Sequence, residues 1–152
     1  MCNGYMMFFS VVLDTNVVLD CFVFKDEAAS SLRERIVGGC IRWMATQAMV
    51  QEYLRVLTYP SVARRAALLD ADEYALLPQV FARYADVVVE PLGDGVPRVV
   101  CRDKDDQMFI DLALAHEGIL LSKDGEVLRL HGKGGLAAMT LKRFSCLERQ
   151  GA

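Results

Sequence analysis

Histidine and cysteine, the residues that build zinc sites and disulfide frameworks, are sparse and scattered in this chain. Only His116 and His131 are present, and the five cysteines, Cys2, Cys21, Cys40, Cys101 and Cys146, are odd in number and contain no CxxC pair. That pattern argues against a structural zinc site or a disulfide scaffold. The cysteines read as small, mostly buried apolar residues, and the histidines as surface or helix-end residues. Long hydrophobic runs are lacking too. The stretch Met6 to Leu13 is eight residues long and stops at Asp14, whereas a bilayer needs roughly 18 to 20. The first basic residue, Lys25, follows that stretch instead of preceding it, so no signal peptide is expected and the expected location is cytoplasmic. Positive charge is not in excess: 20 acidic residues face 17 basic ones, for a net charge of −3. A module held on nucleic acid by its overall field is therefore disfavoured. A bound divalent cation could still invert the potential locally. Repeats, low-complexity tracts and Pro/Gly/Ser linkers are also missing, so residues 1–152 are expected to form one domain.

What the chain has in abundance is apolar surface. Its 152 residues are 53% apolar, with a mean hydropathy of +0.23. Helices covering both faces of a parallel sheet would produce that composition, and part of the excess could serve a subunit interface. Residues 8–13 form an apolar run broken only by Ser10 and read as a buried strand, followed by a short helix over 16–22. A helical pattern over 26–37 stops at Gly38-Gly39, and 41–45 read as a strand. Thr46 is placed to cap a helix reaching about residue 57, with Met49, Val50, Tyr53, Leu54 and Leu57 at helical spacing. Further helices are expected over 71–84, 106–117 and 124–131, with an edge strand at 86–90 and a buried strand at 119–121. A loop at 93–97, a strand near 138–141 and a helical segment through 144–147 complete the reading. This alternation predicts a three-layer α/β/α sandwich with a central, mainly parallel sheet. In such sheets ligands bind at the carboxyl ends of the strands, next to a reversal of strand order. Asp14 and Asp124 each follow a predicted strand directly.

Four acidic positions fall at strand ends or helix starts: Asp14, Glu52, the run Asp103-Lys104-Asp105-Asp106, and Asp124. Gathered together they would repel, at about 4 kcal/mol for each pair 4 Å apart in an effective dielectric near 20. Such a cluster stays ionised only around a cation. Oxygen ligands without nearby His or Cys favour Mg2+ or Mn2+, and the chemistry that arrangement serves best is phosphodiester hydrolysis.

In their order and spacing these residues resemble the PIN domains, the family named after the N-terminal domain of PilT. The marks are an apolar strand ending in D-x-N, here Val11-Val12-Leu13-Asp14-Thr15-Asn16, and Glu52 on a helix 38 residues further on. Next come Asp106 opening a helix that continues through Ile110 and Ala113, and the strand-end motif Leu120-Leu121-Ser122-Lys123-Asp124, 18 residues after Asp106. The resemblance spans about residues 9–144. Arg102-Asp103-Lys104-Asp105-Asp106 is similar to the R-D-P-D-D variant of a subgroup described as toxins of toxin–antitoxin pairs (VapC-like ribonucleases), with Lys104 where proline is usual. The resemblance implies a metal-dependent ribonuclease acting on RNA. It gives catalytic and metal-binding roles to Asp14, Glu52, Asp106 and Asp124, supporting roles to Asn16 and Ser122, and auxiliary ones to Asp103 and Asp105. It further implies Mg2+ or Mn2+ as cofactor, an antitoxin protein as partner, and a homodimer.

Plainer readings exist for each residue. Asp14 could simply cap a helix, Glu52 could be a solvated surface residue, and one of Asp105 and Asp106 could be an ordinary helix-start acid; register favours Asp106 as the ligand. Asp111, about 140° around the helix from Asp106, reads as a surface acid. Trp43 and the methionines read as core, with Met49 a candidate for a dimer contact. Arg55, Arg64, Arg65, Arg98, Arg102, Lys104 and Lys123 are candidates for phosphate contacts. A non-catalytic scaffold binding RNA or protein is the main rival. A phosphatase with Asp14 as nucleophile would want D-x-D, and the third residue here is Asn16.

Overall fold

The computed structural model describes residues 9–91 and 99–150. The loop expected at 93–97 lies outside the described residues. Five strands form one sheet: β1 (Ser10–Leu13), β2 (Arg42–Ala45), β3 (Ala85–Val87), β4 (Ile119–Leu121) and β5 (Ala137–Met139), in the order β3-β2-β1-β4-β5. Every neighbouring pair is parallel. The chain thus starts in the middle of the sheet, works outward to one edge, and returns to the far side of β1. The reversal falls between β1 and β4.

Helices flank this sheet in a three-layer α/β/α arrangement. They are α1 (Thr15–Phe22), α2 (Ser30–Val37), α3 (Gln47–Val56), α4 (Pro60–Ala66), α5 (Ala71–Leu76), α6 (Val80–Tyr84), α7 (Gln107–Ala115), α8 (Gly125–Leu128) and α9 (Leu141–Gln150). The centre is dry: Val11, Val12, Leu13, Leu120 and Leu121 are at most 2% exposed. α1 is buried nearly all round, with Asn16 alone exposed, because the sheet's reversal lets neighbours pack on several of its sides. Trp43 and Tyr53 both pack against Phe81, at 4.5 and 5.0 Å between ring centroids. Among the described residues no helix is long and apolar enough to cross a membrane.

Several local expectations need correction. α4 was not anticipated, although Pro60 at its first turn is a standard helix opener. The single helix expected over 71–84 is three pieces, α5, a 3-10 turn Leu77–Gln79 and α6; Pro78 lacks the N–H that would continue an α-helix through it. The last helix begins at Leu141, where the Thr140 hydroxyl accepts from the Arg143 amide at 3.3 Å, and so shortens β5. Met49 is 1% exposed and belongs to the core, which removes it from any dimer surface. Cys21 and Cys101 are buried as expected, but Cys40 is only half-buried and Cys146 is exposed.

Candidate active site

The carboxyl edge of the sheet carries a row of polar residues that begins where each apolar strand stops. Asp14 follows β1, and its amide donates to the Leu121 carbonyl of β4 at 3.1 Å, so the strand pairing continues one step past Leu13. The side chain does two things at once. Oδ1 accepts from the Asn16 amide at 3.3 Å, capping α1, while Oδ2 accepts from the Ser122 hydroxyl at 2.8 Å. Ser122 is fully buried, and its oxygen in turn accepts from the Asp124 amide at 3.0 Å. Asp124 caps α8 through Oδ1, which accepts from the Glu126 amide at 2.8 Å. The plain capping role and the site role therefore coincide in both aspartates: one oxygen of each caps a helix, and in Asp14 the Ser122 hydroxyl holds the other.

Asp106 approaches from a different element. It occupies the N-cap position of α7, yet its side chain makes no cap hydrogen bond. It pairs instead with Asp124 and lies within electrostatic reach of Asp14 and Asp103. Burial, then the charges of Asp14, Asp103 and Asp124, push its carboxyl up to about 7. Asp14, only 5% exposed, is also raised above 3.8, chiefly by burial, against the opposing pull of the Ser122 hydroxyl and the Asn16 amide. Both raised values have one cause, carboxyl groups crowded in a desolvated place, which favours either a proton or a cation among them. The loop leading to Asp106 is fixed by Gln107, which is buried. Its Oε1 accepts from the Cys101 amide at 2.7 Å, and its Nε2 donates to the Val99 carbonyl at 2.7 Å and to Asp111 Oδ1 at 2.9 Å. Asp111 is accordingly a half-buried partner of Gln107 and not the surface acid the sequence suggested.

The remaining expected residues fall around this trio. Glu52, on α3, accepts a hydrogen bond from the Thr15 hydroxyl, next to Asp14, and Arg55 stands 3.9 Å away. Asp103 caps the 3-10 turn before α7 by accepting from the Asp105 amide at 2.9 Å. Asp105 is exposed, and that amide contact accounts for its part in the site. Asn16 contributes its backbone amide, and its side chain is exposed. Two features escaped sequence reasoning. Thr15 had a visible signal, since it sits inside the motif at Asp14. Lys123 reaches back to the buried Asp20 of α1 at 2.7 Å, tying the loop of Ser122 and Asp124 to α1; the pair is 103 residues apart in sequence and left no local trace.

All these donors are oxygens, which suits a hard divalent cation better than zinc. Among the described residues no three Asp, Glu, His or Cys side chains are arranged, as they stand, to hold a metal ion. The carboxyls of Asp14, Asp106 and Asp124 lie within electrostatic reach of one another and could hold one, with Glu52 beside them on Thr15. His131 stands apart from the acids, accepting through Nδ1 from the Ala138 amide at 3.1 Å.

The family model of the PIN domain matches residues 10–124, a span that starts at β1 and ends at Asp124. No curated protein matches the sequence. Among solved structures, a chain of VapBC2 from Rickettsia felis, solved bound to a DNA fragment from their promoter, superposes with a TM-score of 0.57. The match covers 87% of this chain and 98% of that one at 8% identity; at that identity the likeness concerns the fold.

Proposed function

From the premise that the chain belongs to the PIN-domain family, we propose that it is a metal-dependent endoribonuclease whose catalytic acids are Asp14, Glu52, Asp106 and Asp124. The observation that carries the reading is the Asp14–Ser122–Asp124 network with Asp106 turned toward it. Four carboxyl groups crowded where Asp106 is desolvated carry a repulsion that a bound cation would relieve. Mg2+ or Mn2+, when bound, supplies a lowered pKa for water and neutralises charge on the phosphate and the leaving oxygen. The chain's own part is to aim the acids. Ser122 fixes the free oxygen of Asp14, Thr15 orients Glu52, Gln107 pins the loop that presents Asp106, and Lys123 anchors the loop of Asp124 against α1. Asn16, Asp103 and Asp105 support from the backbone and the rim.

We further infer that the protein acts as the toxin of a toxin–antitoxin pair, blocked by a small antitoxin protein, working as a homodimer in the cytoplasm. The VapBC2 likeness in fold supports that assignment. The test is cleavage of a mixed RNA pool with and without Mn2+ or Mg2+, comparing the wild type with Asp14→Asn and Asp124→Asn. Metal-dependent cutting that both variants lose, with circular dichroism unchanged, supports the nuclease. A wild type that neither cuts nor binds metal by calorimetry points to a non-catalytic scaffold.

A further inference from the structure

Thr46 is the residue where the sequence and the structure disagree most usefully. It occupies the N-cap position of α3, where a threonine hydroxyl ordinarily accepts from the helix's own amides, yet it makes no such hydrogen bond. It is 2% exposed, and among the described residues its Oγ1 is a buried side-chain oxygen without any hydrogen-bond partner. Burying a hydroxyl unpaired forfeits its hydration with nothing in return, so such a group in a folded protein calls for something that answers it.

Its location says what that is. β1 and β2 are parallel, with Val11 opposite Trp43; continuing the register three residues places Asp14 alongside Thr46. On the other side, Leu13 lies opposite Leu121, which places Asp14 alongside Ser122. Both Asp14 and Thr46 keep extended backbone, at φ −56, ψ 147 and φ −113, ψ 166. The row Thr46–Asp14–Ser122 therefore crosses the carboxyl edge of the sheet, an acid between two hydroxyls. Ser122 spends its hydrogen on Asp14. Thr46 has not spent its own, and it begins the helix that carries Glu52.

We propose that Thr46 is a positioning residue of the cation site, its hydroxyl hydrogen-bonding the water that accompanies a divalent cation held by the carboxylates. Mg2+ and Mn2+ sites of this kind retain water, and groups that orient those ligands are worth about 10- to 100-fold in metal affinity. The inference rests on the metal-dependent reading above, and its test separates the two. Mn2+ binding is measured by calorimetry on the wild type, Thr46→Val and Thr46→Ser, alongside thermal unfolding without metal. Valine keeps the shape and removes the hydroxyl; serine keeps the hydroxyl. Expected are a loss of about tenfold or more in Mn2+ affinity for Thr46→Val, affinity within about threefold of wild type for Thr46→Ser, and a metal-free Thr46→Val at least as stable as wild type, because no hydrogen bond is lost. Equal Mn2+ affinity in wild type and Thr46→Val overturns the inference while leaving the nuclease reading intact. A metal-free Thr46→Val that melts well below wild type overturns it as well, since the hydroxyl then has a structural partner. A wild type that binds no Mn2+ overturns both.

Discussion

Replacing Asp106 by asparagine should stabilise this protein while destroying its proposed activity. The Asp106 carboxyl titrates at about 7 in the fold against 3.8 in an open chain, because it is desolvated and faces Asp14, Asp103 and Asp124. At about 1.36 kcal/mol for each tenfold change in proton affinity, the folded chain holds that proton more tightly by roughly 4 kcal/mol. Asp106 is partly open to solvent, and screening brings the figure nearer about 2 kcal/mol. The sign follows from the raised value. Stability is present in full below 3.8, falls as the unfolded chain releases its proton and the folded chain does not, and is lost by the time the pH passes about 7. Asparagine keeps a donor for Asp124 and carries no charge at any pH. Thermal unfolding of wild type and Asp106→Asn should therefore coincide near pH 4. At pH 8 the variant should melt higher by about 4 to 8 °C, taking 2 to 4 °C per kcal/mol for a chain of this size. Saturating Mn2+ at pH 8 should then raise the wild type far more than the variant, by mass action on the folded state. A variant no more stable than wild type at pH 8, or one shifted equally at both pH values, would refute the claim that like charges crowd this site.

The same titration predicts that metal-dependent cleavage rises as pH increases through about 7, with a midpoint that moves lower as Mn2+ concentration is raised, because proton and cation compete for Asp106. Ser122→Ala removes the hydroxyl that lowers the pKa of Asp14; Asp14 then keeps its proton to higher pH, and cleavage by the variant should fall furthest below wild type at the acid end of a rate profile taken between pH 5 and 9. Lys123→Met leaves Asp20, 5% exposed, without its cation, and should destabilise the fold by about 1 to 3 kcal/mol in urea titrations, most of it recovered by the double variant with Asp20→Asn. Tyr53→Phe deletes the buried bond from the phenol to the Leu77 carbonyl, 2.6 Å long, and should cost about 1 to 2 kcal/mol by the same assay with cleavage unchanged.

The acids at strand ends were legible in the sequence because strand and site meet at one residue. An apolar run must stop where water begins, so the polar residue that ends it, Asp14 after Leu13 or Ser122 after Leu121, marks the carboxyl edge of a buried sheet. Helical register favoured Asp106 over Asp105, and in the fold Asp106 is the half-buried one beside Asp124 while Asp105 is exposed. What stayed hidden shares another property: it depends on how strands pair. Thr46 reads as a helix cap in one dimension, and only the alignment of β2 with β1 turns it into a neighbour of Asp14. The Lys123–Asp20 pair and the Thr15–Glu52 bond likewise join elements whose relative placement a single sequence does not encode locally. α4 was missed for a different reason, since Pro60-Ser-Val-Ala carries ordinary helix signals beside two arginines and no strong apolar stripe.

These hidden contacts all serve one mechanical end. Asp14 and Asp124 each use one oxygen to cap a helix, α1 and α8, and this restricts a carboxylate proposed also to meet a cation. Glu52 and Asp106 arrive from α3 and α7 without such a tether, and each is steadied by a neighbour, Thr15 in one case and the Gln107-braced loop in the other. In the proposed site, two acids fixed on the sheet edge and two carried by helices would close together around the cation.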